Sequence, residues 1–154
     1  MIYLLCTLSL VAVMVAFFLW TEGRFRPFGR VQWLLRVFVV LPLLVSGIFH
    51  FTRTVVFASM VPPIFPHPAL WVVLTGFMEL GGAIGLLVPR TTRTASTCIA
   101  LLMIAVFPAN IYAAHRTVGG LHMPGVPVRF AMQVVYILLV LTAGWGMPQR
   151  ARKR

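Results

Sequence analysis

The sequence predicts an all-α bundle of five membrane-spanning helices, and composition and segment length carry that prediction. Apolar residue types make up 60% of the 154 residues, and charged types only 10%. Soluble domains have about 25% charged residues, and a short soluble chain has a large surface to cover. Five apolar stretches each approach the roughly 20 residues that a helix needs to cross a bilayer. This composition excludes a disordered chain, a secreted disulfide scaffold and a soluble enzyme.

The predicted helices follow one another along a single membrane domain, residues 1–154. Backbone groups in lipid must be satisfied within the segment, which favours helices, and the apolar runs lack the alternation of a β-barrel. Residues 1–30 add a helix and a basic loop to a four-helix core at 31–147, and 148–154 form a basic cytoplasmic tail. The predicted spans are Ile2–Trp20, Val31–Phe51, Ala69–Val88, Ala95–Ala114 and Val128–Met147.

The first apolar stretch, Ile2–Trp20, is expected to be a retained helix, with a cleaved signal peptide as the alternative. No basic residue precedes the apolar run, and no pattern of small residues typical of a cleavage site precedes Glu22. We therefore count this stretch as the first of the five crossings.

The distribution of lysine and arginine predicts the orientation of the bundle. Ten of the 13 basic residues belong to the segments on one side, whereas Arg53, Arg116 and Arg129 belong to the other. Cytoplasmic loops carry an excess of basic residues, so the N-terminus is expected outside and the C-terminus inside a bacterial plasma membrane. The same distribution accounts for the net charge of +11. Nucleic acid is not an expected partner, because no nucleic-acid-binding motif accompanies the charge.

The segment Thr52–Pro68 interrupts the helical pattern between the second and third predicted helices. It contains four prolines, which are incompatible with a helix interior, together with large apolar side chains such as Phe57 and Ile64. Two interpretations stay open. The segment either folds over the outer end of the bundle as a cap or dips into the lipid head groups.

Glu79 is the residue that indicates a functional site most directly. It lies in the middle of the third predicted helix, between Gly76 and Gly82. An ionisable group at this depth is costly and is expected to face the bundle interior, and the spacing of Gly81 and Gly85 indicates close helix packing nearby. Glu79 is interpreted as a proton carrier or ligand contact, and a hydrogen-bonded structural glutamate is the alternative.

Polar residues on three other predicted helices are expected near Glu79. Topology places most of them in the outer half of the bundle, with Glu79 and Tyr136 nearer the midplane. We expect Glu79 to share an interior cavity with His50 and Asn110 that opens toward the outer face. The alternatives are an interfacial histidine, a snorkelling arginine and polar contacts that only join helices. The candidates are His50, Arg53, Asn110, Gln133 and Tyr136.

Neither the histidines nor the cysteines form a recognisable metal or redox motif. His67, His115 and His122 lie in predicted outer loops, and their spacings match no metal-ligand pattern. Cys6 and Cys98 are expected on opposite faces of a membrane roughly 30 Å thick, whereas a disulfide needs Cα atoms within about 7 Å. No metal and no intrinsic cofactor is therefore expected.

Four segments, taken in order, resemble the DoxX family of small bacterial and archaeal membrane proteins. The resemblance covers about residues 31–147 and implies a four-helix core, to which this chain adds Ile2–Trp20. The family's polar positions are matched by Glu79, His50 and Asn110. The segments that carry the resemblance are Gly47–Phe51, Met60–Pro62, Thr75–Pro89 and Val106–Asn110.

The resemblance implies a membrane protein of undefined activity that serves as an accessory subunit of a membrane redox system, with a membrane or periplasmic redox partner. The family takes its name from a small subunit of a thiosulfate:quinone oxidoreductase. Two alternatives stay open: a quinone-linked oxidoreductase subunit with its site near His50 and Glu79, and a proton-coupled carrier of a small solute. The sequence has no haem ligand pair, flavin fingerprint or iron–sulfur cysteines, so electron transfer would need a partner's cofactor. A carrier would more often show an internal repeat.

Overall fold

The computed structural model describes residues 30–146, which are mostly helical. The predicted helix Ile2–Trp20 and the basic tail 148–154 lie outside the described residues. The elements are α1 (Arg30–Thr52), α2 (Thr54–Ala58), α3 (Pro68–Leu87), α4 (Thr92–Ala105), α5 (Phe107–Ala113), β1 (Thr117–Val118), β2 (Leu121–His122) and α6 (Val126–Trp145).

Within residues 30–146, four helical segments are long and apolar enough to cross a membrane. They are α1, α3, the combined segment Thr92–Ala113 formed by α4 and α5, and α6. Their ends lie within three residues of the last four predicted spans. The prediction of an all-α bundle is confirmed for residues 30–146, with four segments able to cross a membrane.

The fourth predicted span is broken where the sequence places Pro108. Helix α4 ends at Ala105 and α5 begins at Phe107, because Pro108 cannot donate a backbone hydrogen bond to the carbonyl of Ile104. The N–H of Ala109 bonds instead to the carbonyl of Val106, 3.1 Å away. The prediction of one continuous helix over Ala95–Ala114 is therefore wrong at this point, and the break places Asn110 on a short separate helix.

The long helices pack as a ring in which α1 contacts α3 and α6, and α4 contacts the same two helices from the other side. The buried positions of α3 recur every three or four residues, as expected for one face of a helix. The core that all four helices share consists of Val39, Val40, Leu43, Ala83, Leu86, Ile99, Leu102, Val140 and Ala143.

Small residues set the distance between α4 and its neighbours. A Cβ atom placed on Gly85 would lie 2.8 Å from the Cβ of Ala95, and Cβ atoms placed on Gly82 and Gly144 would come even closer to Ile99 and Ser96 of α4. Gly81 has no described atom outside its own helix within 4 Å of such a Cβ. The predicted close-packing pair Gly81 and Gly85 is thus half wrong: Gly82 takes part in the packing, and Gly81 does not.

The end of the bundle opposite His50 is tied together by a buried arginine. The Arg36 side chain is 3% exposed, and its Nε donates to the carbonyl of Ala143 at 2.9 Å. Gln32 Nε2 donates to the carbonyl of Gly146 at 3.3 Å. Arg36 thus satisfies the carbonyl of Ala143, which is one of the last four of α6, where helix carbonyls lack partners within their own helix. Gln32 bonds to the residue that follows the helix. Arg36, at the start of the second predicted span, is one of the ten basic residues counted for the expected cytoplasmic side, and its side chain lies inside the bundle.

The segment Thr52–Pro68 both covers the bundle end and exposes apolar side chains. Helix α2 contacts α3, and the Phe57 ring lies 4.4 Å from the His50 ring between centroids. Val55 and Ile64, in contrast, are 85% and 83% exposed. A short hairpin of β1 and β2, which the sequence did not predict, brings Gly119 next to Val56. The cap interpretation thus describes α2 and Phe57, and the interpretation that the segment dips into lipid head groups stays a prediction.

The glycine contacts predict different effects on stability for two glycine-to-alanine substitutions. Gly144→Ala should lower the free energy of unfolding by about 1–3 kcal/mol, since the added methyl overpacks the contact with Ser96. Gly81→Ala should leave stability unchanged or slightly raised, because its new methyl enters open space and alanine favours the helix. Thermal unfolding in detergent measures both, and equal loss in the two variants would contradict the packing described.

Candidate functional site

Two glycines bring α1 and α3 close enough for their polar residues to meet. A Cβ atom on Gly76 would lie 2.7 Å from the Cβ of His50, and one on Gly47 would lie 2.7 Å from Leu80 Cδ2. Any larger side chain at these two positions would force one of the helices or its side chains to shift. The glycines therefore set the approach that places His50 against the buried face of α3.

His50 and Glu79 form a buried pair between α1 and α3. His50 Nδ1 lies 3.6 Å from Glu79 Oε2, and the two residues are 7% and 6% exposed. Nδ1 also lies 2.8 Å from the carbonyl oxygen of Ser46. Because a carbonyl can only accept, Nδ1 is the donor in this contact with Ser46.

One oxygen of the buried carboxyl lacks a hydrogen-bond donor. Among the described residues, Glu79 Oε2 has no hydrogen-bond partner, although the side chain of Ser46 also interacts with the carboxyl. Buried polar atoms are nearly always satisfied, and each exception calls for an explanation. A donor brought by a ligand or a water molecule would satisfy this oxygen.

Tyr136 approaches the pair from α6. Its hydroxyl donates to the carbonyl of Val39 at 2.9 Å, which fixes the ring across the bundle toward α1. The side chain lies close enough to Glu79 for an electrostatic interaction. Three helices therefore contribute polar groups around the carboxyl of Glu79.

A second polar cluster, called here the amide–arginine cluster, consists of Asn110, Arg129 and Gln133. Asn110 Nδ2 donates to Gln133 Oε1 at 2.6 Å, and Gln133 Nε2 donates to the carbonyl of Met103. Arg129 Nε donates to the Asn110 carbonyl at 2.9 Å, and Nη2 donates to Asn110 Oδ1 at 3.3 Å. These bonds hold the short helix α5 against α6 and also satisfy α4 near its break.

Comparison with known proteins identifies the family. Residues 39–144 match the family described as Domain of unknown function (DUF8561). The chain belongs to this family. No curated protein and no solved structure matches the chain.

The DUF8561 domain contains all the candidate residues, but the structure divides them between two clusters. His50 and Glu79 form one pair, with Tyr136 nearby. Asn110 bonds with Gln133 and Arg129, and the cavity that it was expected to share with the pair stays a prediction. Asn110 makes these bonds because the break at Pro108 places it on α5, and α5 packs against α4 and α6.

Arg53 lies beside the His50–Glu79 pair and has a structural role there. It is exposed at the junction of α1 and α2, where its carbonyl accepts hydrogen bonds from the N–H groups of Val56 and Phe57 at 2.9 and 3.1 Å. These bonds begin helix α2 and so help to place Phe57 over His50. Arg53 therefore orients the cover of the pair through its backbone.

Sequence reasoning missed Arg129 and Phe57 as parts of these clusters. A signal for Arg129 was present, because Arg129, Gln133 and Tyr136 recur at spacings of four and three residues and so share a helix face. Phe57 carried no such signal, since its position depends on the turn between α1 and α2.

The described residues contain no group of three or more histidine, cysteine, aspartate or glutamate side chains that could hold a metal ion. His67 and His115 adopt left-handed backbone conformations, with φ of 53° and 61°, and Cys98 is exposed.

The chemistry that the His50–Glu79 pair can offer is proton exchange and hydrogen bonding to a hydroxyl or carbonyl group.

Two substitutions of Glu79 should distinguish the effect of losing its polar group from the effect of changing its volume. Glu79→Leu should lower the free energy of unfolding by about 1–3 kcal/mol, because it leaves buried polar neighbours without their partner. Glu79→Gln keeps the shape and an acceptor oxygen, so it should unfold close to the unchanged protein. Thermal unfolding in detergent measures the difference. Equal unfolding temperatures for the two variants would show that the carboxyl makes no stabilising polar contact.

Proposed function

We propose that this DUF8561 protein is a DoxX-like accessory subunit of a membrane redox system, in which the His50–Glu79 pair binds the head group of a quinone. The observation that carries the proposal is the buried Oε2 of Glu79, which has no hydrogen-bond donor among the described residues and lies 3.6 Å from His50 Nδ1. A hydroxyl group of a bound quinol would supply the missing donor.

The chemistry of the pair suits a reduced quinone. A quinol carries hydroxyl donors on a flat apolar ring. The pair offers an acceptor in Glu79 Oε2, and His50 Nε2 is a second acceptor whenever the ring is neutral. Phe57, whose ring lies 4.4 Å from that of His50, adds an aromatic surface at the same place. Such a combination of apolar lining and few polar groups is typical of small-molecule sites.

Oxidation of a bound quinol would release two protons and two electrons. The protons would pass to Glu79 and His50, which are the neighbouring acceptors. The electrons would pass to a cofactor held by a redox partner, since the sequence offers no cofactor ligand set of its own. The proposed role of this chain is therefore to bind the quinol and accept its protons.

A proton-coupled carrier is the second candidate, because the same buried pair could load and release a proton during transport. The two functions differ in their ligand. A carrier would bind a small solute and would not need to recognise a quinone ring.

The quinone site is tested by titrating decylubiquinol into the protein in nanodiscs and following tryptophan fluorescence. Trp71 serves as the reporter, because it lies in the first turn of α3, at the end of the bundle where His50 lies. Binding should weaken about tenfold or more in Glu79→Gln and in His50→Gln, the loss expected for a hydrogen bond to a charged or buried group.

Ser96→Ala is the matched control for this titration. Ser96 is also buried and donates to the carbonyl of Val140 at 2.8 Å, but it lies toward the opposite end of the bundle. Its binding curve should match that of the unchanged protein. Binding that is the same in all variants would place the quinone elsewhere, and the absence of saturable binding would favour the carrier.

For the membrane arrangement, we propose five crossings in a bacterial plasma membrane, with the N-terminus outside and the C-terminus in the cytoplasm. The four described spans supply four crossings, and Ile2–Trp20 supplies the fifth. The basic residues support this orientation, because Arg90 and Arg93 lie at the bundle end opposite His50, on the side proposed as cytoplasmic.

Reporter fusions test the orientation. A phosphatase fused after Arg154 should be inactive, because it would remain in the cytoplasm, and a tag before Met1 should be labelled from outside intact cells. Neutral residues in place of Arg24, Arg26 and Arg30 should weaken the orientation by removing charge from the first inner loop. An active C-terminal phosphatase in the unchanged chain would reverse the proposed topology.

A further inference from the structure

The amide–arginine cluster holds a positive charge that no carboxylate of the described residues neutralises. Arg129 is only partly exposed, and its hydrogen bonds go to neutral acceptors: the carbonyl and Oδ1 of Asn110, and Met123 Sδ at 3.6 Å. Within residues 30–146, Glu79 is the single acidic side chain, and it lies against His50, with Oε2 3.6 Å from Nδ1. The guanidinium therefore lacks an anionic partner within this part of the chain.

The position of Arg129 makes this charge costly. Arg129 lies in the first turn of α6, a helix long and apolar enough to span the membrane. Charged groups in membrane helices are expensive unless they pair with an opposite charge or face water. The neutral bonds to Asn110 fix the plane of the guanidinium but do not compensate its charge.

The bonds to Asn110 also prepare the guanidinium for a ligand. Nε and one N–H of each Nη atom are used by Asn110 and Met123. The remaining N–H groups of the planar fork are free to donate, and such a fork suits two oxygens of a phosphate. Side-chain freedom that a flexible surface arginine would lose on binding is here already restricted.

A second arginine lies at the same corner of the molecule. The N–H of Met123, whose sulfur contacts Arg129, donates to the carbonyl of Arg116 at 2.9 Å. The Arg116 guanidinium lies 3.6 Å from the centre of the Tyr112 ring, and the residue is exposed. The corner formed by α5, the hairpin and the start of α6 thus carries two arginines without a described carboxylate.

We propose that this corner binds a phosphate-bearing anion, namely the head group of an anionic phospholipid, with Arg129 as the main contact and Arg116 as the second. The start of a spanning helix lies near the depth of lipid phosphates, where basic side chains attract anionic lipids. A free oxyanion presents the same chemistry and is the alternative source. The proposal is independent of the quinone site, because it uses other residues and another ligand class.

The experiment measures binding of short-chain phosphatidylglycerol to the detergent-solubilised protein by the shift of its unfolding temperature. Arg129→Gln should bind about fivefold more weakly, the loss expected for one basic contact with an anionic head group. Arg53→Gln is the matched control, because Arg53 is an exposed arginine near the same end of the bundle but outside the amide–arginine cluster, and this variant should bind like the unchanged protein.

The other arms of the experiment decide the identity of the ligand and guard against misfolding. Phosphatidylcholine should give a smaller shift than phosphatidylglycerol, and equal shifts would overturn the proposal, as would equal losses in Arg129→Gln and Arg53→Gln. Inorganic phosphate that reproduces the full shift would support the anion site and assign it to a free oxyanion. If Arg129→Gln does not fold, Arg116→Gln should show a smaller loss in the same direction, and no loss there would overturn the proposal.

Discussion

The arrangement of this bundle depends on the close approach of α1 and α3, which lets the buried carboxyl of Glu79 meet a partner. A carboxyl group within a membrane-spanning helix is stable only where the protein itself supplies compensation. His50 supplies it from α1 at 3.6 Å, and this contact requires that Gly76 lack a side chain. The close packing of α1 and α3 therefore determines both the spacing of the two helices and the geometry of the His50–Glu79 pair.

The two ends of the bundle are stabilised by different means, and the difference favours a ligand site at only one of them. At the Arg36 end, Arg36 bonds to the carbonyl of Ala143 in the last turn of α6, and Gln32 bonds to the carbonyl of Gly146 just beyond that helix. Ser96 packs directly on Gly144. At the His50 end, the helices are joined through side-chain pairs and covered by a short helix and a hairpin. A cover made of short elements with few buried residues opens at lower cost than a packed helix interface.

The sequence was sufficient for the four spans within residues 30–146 and for the inward orientation of Glu79, but not for the pairing of the polar residues. Hydropathy and segment length determine which residues cross the membrane, and a lone carboxyl can face only the interior. The neighbours of Asn110 depend on how far the chain turns at Pro108, and the burial of Arg36 depends on the free carbonyls of α6. Gly81 and Gly82 are neighbours in the sequence and therefore face different sides of α3. Hydropathy does not show which of the two faces another helix when all sides of the helix are apolar.

The division into two polar clusters has a consequence for the ligands that each can hold. The His50–Glu79 pair contains both an acid and a base, so a proton can pass from one side chain to the other without changing the net charge of the pair. The amide–arginine cluster contains a permanent charge and neutral partners, so only an anion can compensate it. Tyr136 and Gln133 lie one turn apart on α6 and contribute to different clusters. Helix α6 thus connects a site suited to a neutral, proton-exchanging ligand with a corner suited to an anion.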